Sequence, residues 1–219
     1  LTEGAVDVAW FRRAHEALGA ERWKAVEDAA KYGSSAGGHA RAQLFARAMA
    51  CAVTREELAE RIASSRHQDS VRALGLLPLP EDGGARRDEI LARYRLLQEY
   101  RRGSRKFGSQ RQQSEGRAVE IGMANLARTA GYRDPQRLQW AMEREAVADL
   151  ADGPLVREVG GVTLTLSIAP DGTPELAAAR GGRALKSIPA AVGKDPEAAE
   201  LKERVRDLRR QASRVRDAL

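Results

Sequence analysis

The sequence predicts an α+β fold that is predominantly α-helical: a multi-helix array, one small antiparallel β-meander and a C-terminal amphipathic helix. Three observations support this prediction. Apolar residues recur at three- and four-residue spacing through most of the chain. The period falls to two over residues 162–168. Aromatic residues make up only 5% of the chain, so Ala and Leu, the strongest helix formers, supply much of the apolar content.

Five helices are predicted in the first third of the chain. Gly19 separates the first two, because glycine readily adopts the left-handed conformation that ends a helix. Ser34 or Ser35 caps the third helix, and Thr54 with Glu57 forms a capping box for the fourth. The predicted helices cover 7–18, 20–32, 38–53, 55–64 and 68–74.

Three further helices follow after a stretch that is rich in Pro and Gly. A break is predicted at 103–109, where the helical pattern is interrupted. Asp134 is expected to cap the last of these helices, with Pro135 at its first position. The three predicted helices cover 85–102, 113–129 and 135–150.

Large apolar residues on these helices are expected to form the core. Trp23, Val26 and Ala30 mark the inward face of the second helix. Trp23 and Trp140 are expected at contacts between helices.

A β-meander is predicted after the helices. Residues 162–168 alternate apolar and hydroxyl side chains, as expected of a half-buried strand. Asp171-Gly172 is a strong hairpin signal. The predicted strands cover 162–168, 174–180 and 183–187. So few strands cannot be stable alone, so the meander must pack on helices.

The last helix carries a regular apolar seam. Its residues are spaced alternately by four and three positions, and they are Leu201, Val205, Leu208, Ala212, Val215 and Leu219. A short coiled coil with a partner would use such a seam. We expect instead that the seam docks on the helix's own domain.

Composition shifts predict five segments in one compact fragment of a longer protein. They are an N-terminal helical segment (1–76), a Pro/Gly linker (77–84), a helical segment with a basic connection (85–153), the β-meander (154–190) and the C-terminal helix (191–219). The absence of an initial Met suggests the fragment. We expect a cytoplasmic location, since there is no visible signal peptide, no apolar run of membrane length and only one cysteine, Cys51.

The stretch YRRGSRKFGSQRQQSEGR (100–117) carries six basic side chains and a single carboxylate, Glu115. Residues 93–117 hold eight basic and two acidic residues, which equals the whole formal net charge of +6. Such localised charge is expected of a phosphate-binding surface, although it also suits a solvated connection between helices. The candidate nucleic-acid- or phosphate-binding residues are Arg101, Arg102, Arg105, Lys106, Phe107 and Arg111. Phe107 would stack on an exposed base.

Other motifs do not predict catalysis, a metal site or a cofactor. GSSAGGHA (33–40) has the glycine spacing of a P-loop but lacks its Lys and Ser/Thr. The three histidines lie far apart in the sequence, and a helix cap at Asp69 or Ser65 explains the region around His67. Glu145 and Asp149 share a helix face, which is expected to be exposed.

Three blocks of the sequence resemble a known family. They are EDAAKYGSSAGGHARAQLFARAM, RHQDSVRALGLLPLP and RYRLLQEYRRGSRKFGSQRQQSEGRAVEIGMANLARTAGYRDPQRLQWAMEREAVADL. They resemble an internal region of large bacterial proteins that carry the domain of unknown function 4132, related to the molybdate metabolism regulator type. The resemblance implies no reaction and no catalytic residues. Its frequent association with WGR domains implies a context linked to nucleic acid.

Three functions are compatible with the sequence. The first is a non-catalytic interaction or scaffold module of a large bacterial cytoplasmic protein, bound to other domains of its parent protein or to protein partners. The second is a nucleic-acid-binding module that uses the basic stretch Arg101–Arg111. The third is part of an enzyme whose site is completed elsewhere in the parent chain.

Overall fold

A computed structural model describes residues 5–33 and 38–217 of the chain. Of these residues, 67% are helical, and a four-stranded antiparallel sheet lies near the C-terminal end. The predicted class, α+β and predominantly helical, is therefore confirmed. The helices within the described residues are α1 (Val8–Gly33), α2 (Gly38–Met49), α3 (Arg55–Ser65), α4 (Gln68–Leu74), α5 (Gly83–Gly103), α6 (Ser109–Ala130), α7 (Pro135–Glu145) and α8 (Pro196–Asp217). The strands are β1 (Leu155–Val159), β2 (Val162–Ile168), β3 (Pro174–Arg180) and β4 (Arg183–Leu185).

The chain divides into two compact units, Leu1–Met142 and Glu143–Leu219. Unit 1 holds α1 to α6 and most of α7, whereas unit 2 holds the sheet and α8. None of the helices in the described ranges has both the length and the apolar composition needed to cross a membrane.

Local signals in the sequence set several helix boundaries. Gly19 has φ +70° and divides α1 at a kink, as predicted. The capping box is present: the Glu57 amide donates to Thr54 Oγ1 at 3.2 Å, and the Thr54 amide donates to Glu57 Oε2 at 2.7 Å. Asp134 accepts a hydrogen bond from the amide of Arg137 at 2.8 Å, as expected of a cap. These boundaries depend on neighbours within four residues, so a sequence pattern can predict them.

Unit 1 is built around a close crossing of α4 and α6. A Cβ atom added at Gly122 would lie 2.6 Å from the carbonyl oxygen of Val71, and one at Gly75 would lie 2.4 Å from the carbonyl oxygen of Gly122. Both distances are shorter than van der Waals contact, so only glycine allows this approach. The fully buried Asn125 adds to the crossing, since its side-chain amide donates to the carbonyl of Arg72 at 3.0 Å.

Unit 2 is a sheet with strand order β1-β2-β3-β4, in which each strand is antiparallel to the next. Alternate residues of β2 are buried because they face α8, and that helix buries its own apolar seam in the same cluster. The buried residues that form this contact are Val162, Leu164, Leu166, Ala178, Ala198, Leu201, Val205 and Leu208. The seam therefore docks within its own unit, as expected. The side chain of Val215 and residue Leu219 lie outside the described part of the chain.

The structure differs from the sequence predictions in several elements. The two helices predicted over 7–18 and 20–32 form the single kinked helix α1, α6 begins at residue 109 rather than 113, and β4 ends at residue 185 rather than 187. Strand β1 was not predicted, because its three central residues are all exposed and its sequence does not alternate between apolar and polar residues. Helix α2 ends at Met49 rather than residue 53, and Cys51 beyond it has φ +60°. Helix α7 ends at Glu145 rather than residue 150, so Glu145 and Asp149 do not share a helix face. The predicted caps Ser34 and Ser35 lie outside the described residues.

Two predicted core residues are exposed. Trp140 is 54% exposed because the buried apolar residues of α7, Leu138 and Met142, each lie two positions from it, on the opposite side of the helix. Val26 is 47% exposed. The second half of α1 contacts the core mainly through Trp23, whose ring packs edge-on against Phe11 at 5.0 Å.

The α4–α6 crossing predicts that replacing glycine by alanine has opposite effects on stability at two positions of α6. Gly122→Ala should destabilise unit 1 by about 1–3 kcal/mol, because its methyl group has no room. Gly116→Ala should stabilise it by about 0.5–1 kcal/mol, because a Cβ there meets nothing within 4 Å and alanine favours the helix. Urea denaturation followed by tryptophan fluorescence measures both, since Trp10, Trp23 and Trp140 all lie in unit 1. Equal effects of the two substitutions would contradict the close crossing.

Candidate nucleic-acid interface

The predicted basic residues lie at the junction between α5 and α6. Helix α5 ends at Gly103, a single 3₁₀ turn covers Ser104–Lys106, and α6 begins at Ser109. The turn is held by short-range hydrogen bonds: Ser104 Oγ donates to the carbonyl of Arg101 at 2.7 Å, and the amide of Phe107 donates to the carbonyl of Ser104 at 2.9 Å. We call residues 101–111 the basic corner. The predicted helix break is confirmed and is shorter than expected.

A buried carboxylate anchors the basic corner from α6. Glu115 is only 1% exposed. Its Oε1 accepts from Arg66 Nε and from Arg111 Nε, both at 2.9 Å, and its Oε2 accepts from Arg66 Nη2 at 2.6 Å. Two arginines thus neutralise one carboxylate, and one of them, Arg111, belongs to the predicted site.

Arg66 connects the end of α3 to the end of α5. Its guanidinium lies 4.2 Å from the centre of the Tyr100 ring and donates to the Tyr100 carbonyl at 2.9 Å. The Tyr100 hydroxyl donates in return to the Arg66 carbonyl at 3.0 Å. A Cβ atom at Gly103 would lie 2.9 Å from Arg66 Nη1, so any larger residue here would displace the guanidinium that binds Glu115.

The backbone of Arg66 is in the left-handed region, with φ +51°. This conformation costs on the order of 1 kcal/mol or more for a residue other than glycine. The hydrogen bonds and ring contact of its side chain offset that cost.

The charges of this network reinforce one another. Hydrogen bonds from Arg66 hold the pKa of Glu115 below its ordinary value, against the opposing effect of burial. The hydrogen bond from Glu115 in turn raises the pKa of Arg66. Burial is the main cause that raises the pKa of Tyr100, and the charge of Glu115 adds to it. Glu115 therefore stays ionised and Tyr100 stays protonated at neutral pH.

Phe107 lies among three cations. The Arg111 guanidinium is 3.8 Å from its ring centre, and Arg66 and Lys106 lie at 5.2 and 5.3 Å. A base that stacked on Phe107 from the side of Arg111 would have to displace that guanidinium.

The other predicted cations lie on the surface. Arg101, Arg105 and Lys106 are exposed, and none of them forms an ion pair with the part of the chain that the structure describes. Arg102 is half-buried. The structure thus brings all six predicted residues to one corner, and five of them divide between two roles. Arg111 and Phe107 belong to the anchor, whereas Arg101, Arg105 and Lys106 face solvent.

The charge of the 93–117 segment is not all available at its surface. Arg93 is only 2% exposed and donates to the carbonyls of Leu77 and Pro78 at 2.6 and 2.9 Å. Its Nε also donates to Glu89 Oε1 at 2.8 Å. Counting charges along the sequence therefore overstates the basic surface.

Sequence reasoning missed Arg66 and Tyr100. Glu115 could have been found as the only carboxylate within a basic stretch, but its main partner lies 49 residues away in the sequence. No local pattern connects such residues.

The other residues considered from the sequence serve the fold. His67, rather than Asp69 or Ser65, caps α4, and its Nδ1 accepts from the amide of Ser70 at 3.2 Å. Asp69 pairs with Arg41 at 2.7 Å and with Arg72 at 2.6 Å. Asp149 pairs with Arg204. Over residues 5–33 and 38–217, no group of His, Cys, Asp and Glu is arranged to hold a metal ion.

Comparison with known proteins gives a match to a protein family. Residues 1–142 match the model of a family described as "Family of unknown function (DUF5724)". No curated protein and no solved structure matches the chain. The resemblance to the domain of unknown function 4132 is therefore wrong, because the family model that matches belongs to a different domain. The link to nucleic acid that this resemblance implied therefore no longer has its support.

The anchor predicts a stability difference that depends on pH. At pH 7, Glu115→Gln should destabilise unit 1 by about 3 kcal/mol, because it leaves Arg66 without its counter-charge. The pKa of Glu115 is lowered in the folded state, so its ionisation stabilises the fold above the ordinary value of 4.5, and that contribution is lost as the pH falls through the lowered pKa. The difference between the wild type and the variant should therefore shrink below about pH 4.5.

Urea denaturation at several pH values measures this difference. Glu120→Gln is the matched control, because Glu120 is an exposed carboxylate on the same helix and lies 3.5 Å from Arg117. It should cost less than about 1 kcal/mol at any pH. A small cost for Glu115→Gln at pH 7, or a difference that does not vary with pH, would contradict the anchor.

Proposed function

The chain belongs to DUF5724, a family of unknown function, and from this premise we propose that it is a non-catalytic interaction module whose binding surface is the basic corner. The observation that carries the proposal is that the charged residues in and around the basic corner fall into two groups, one structural and one exposed. The charges of Glu115 and Arg66 hold the fold together, whereas Arg101, Arg105 and Lys106 project into solvent from a hydrogen-bonded turn.

The buried polar groups support a structural role for the interior of unit 1. Ser70, Arg93, Ser104, Glu115 and Asn125 are buried, and each hydrogen-bonds to backbone or to a side chain of its own unit. A general acid or base works best with a pKa near the working pH. The pKa of Glu115 is instead displaced downward, away from neutrality. This supports binding rather than proton transfer as the task of the unit.

The surface of the basic corner supports a partner that is negatively charged. Arg101 and Arg105 lie four positions apart near the end of α5 and its 3₁₀ extension, so they project from one face. Arg and Lys are the residues that contact phosphates most often. Partners in this proposal are other domains of a parent protein or separate proteins that carry acidic segments.

Nucleic acid is the second candidate partner. The specific observation in its favour is that Arg101, Arg105 and Lys106 pair with no carboxylate of the described residues, so their charge is not neutralised locally. A phosphate backbone would supply that neutralisation and would release counterions. The free, exposed thiol of Cys51 supports a reducing, cytoplasmic compartment for either partner.

A salt titration tests the nucleic-acid candidate. The whole chain should bind labelled single- or double-stranded DNA at low salt, with an affinity that falls by about one log-log unit for each phosphate contact. Replacing Arg101, Arg105 and Lys106 together by Ser should remove most of that slope and leave the urea midpoint nearly unchanged. Fluorescence anisotropy at a series of salt concentrations measures the slope.

A triple variant of α1 is the matched control. Arg12, Arg13 and Lys24 are exposed, and their replacement by Ser changes the net charge by the same amount. The control should keep the wild-type slope. Equal loss in the two variants would show attraction by net charge alone, and absence of binding at low salt would reject nucleic acid as the partner. A large loss of stability in the variant of the basic corner would contradict its assignment as a free surface.

A further inference from the structure

A cleft of about 370 Å³ opens beside the basic corner, within unit 1. It lies between α5, α6 and the first turns of α7. Val119 and Met123 contribute apolar surface from α6, and both are almost fully buried. Its volume is at the lower end of the range for sites that take small ligands or single groups of a larger ligand.

Amide side chains line this cleft. Gln98 comes from α5, whereas Gln136 and Gln139 come from α7. The side-chain amides of Gln98 and Gln136 have no hydrogen-bond partner among residues 5–33 and 38–217, so they are available to a ligand. Each glutamine amide offers both donors and an acceptor. Such amides can therefore bind a planar group that carries a hydrogen-bond donor next to an acceptor, such as the edge of a nucleobase.

The charges at the cleft fit a nucleotide. Arg101 lines the cleft and also belongs to the basic corner, so a phosphate chain held at the corner would deliver a base to the cleft. Glu120 also lines it, and its carboxylate would accept a hydrogen bond from an exocyclic amino group of a base. Trp140, one turn beyond Gln136 and 54% exposed, offers a ring to a neighbouring base.

We propose that this cleft holds one unpaired base of a single-stranded nucleic acid and prefers adenine to thymine. The glutamine amides can pair with the edge of either base, because an unpaired thymine also offers one donor and one acceptor. The preference comes from Glu120, since adenine has an amino group to donate to it and thymine has none. This inference rests on the nucleic-acid candidate of the preceding section and names the base that the same surface selects.

Titration with oligonucleotides that each contain a single type of base tests the proposal. Oligo-dA and oligo-dT of equal length are titrated into the whole chain at low salt, with anisotropy as the readout. Oligo-dA should bind about tenfold more tightly than oligo-dT. Glu120→Ala should bring the ratio of the two affinities close to one and leave the salt slope unchanged, because it removes the contact that only adenine makes. Arg101→Ser should weaken both oligonucleotides by the same factor.

Glu60→Ala is the matched control, because Glu60 is an exposed glutamate of α3 that lies outside the basic corner and does not line the cleft. It should keep the preference for oligo-dA. Equal binding of oligo-dA and oligo-dT by the wild type, with the salt slope intact, would overturn the cleft proposal and leave the nucleic-acid candidate standing. Absence of binding to either would reject both. Displacement of oligo-dA by polyglutamate at equal charge concentration would show that the cleft accepts an acidic peptide and would overturn the assignment to a base.

Discussion

The organisation of unit 1 around the basic corner depends on one ion pair, that of the half-buried Arg66 with the buried Glu115. The pair connects the end of α3 to α6, and the same guanidinium reaches the carbonyl of Tyr100 near the end of α5. Three elements that are distant in sequence therefore meet at one side chain. A carboxylate that is 1% exposed is costly to bury, and it is stable here because two guanidinium groups supply three hydrogen bonds to it.

This anchor explains why the basic corner is both charged and ordered. A run of cations between two helices would ordinarily repel itself and stay extended in solvent. Here Arg111, whose side chain stays 48% exposed, donates to Glu115 and covers one face of Phe107. The intervening 3₁₀ turn leaves Arg101, Arg105 and Lys106 on the outside. The close α4–α6 crossing places α6, and α6 in turn presents Glu115 to the corner. The fold thus uses some of the positive charge for packing and leaves the rest for a ligand.

The sequence predicted the features of this structure that depend on near neighbours. The Thr54–Glu57 capping box, the kink at Gly19 and the break after α5 were all visible in a few consecutive residues. Strand β1 was not, because nearly all of its side chains are exposed and carry no alternating pattern. The six site residues were located in one place, but their separation into anchor and surface depends on Arg66, far away in the sequence. Arg93 shows the same limit, since its charge was counted toward the surface and is in fact buried.

Native-state hydrogen exchange of an Arg66→Lys variant tests the central claim most directly. Lysine keeps the positive charge but cannot donate to both oxygens of Glu115 in the planar geometry of arginine. If the bidentate pair holds the corner, the amides of Phe107 and Gln112, which donate to Ser104 and Gly108, should exchange about tenfold faster or more, which corresponds to ~1.4 kcal/mol. Amides of α8 in unit 2 should keep their wild-type rates. Unchanged protection at Phe107 and Gln112 would show that the corner is held by other contacts and would contradict the account.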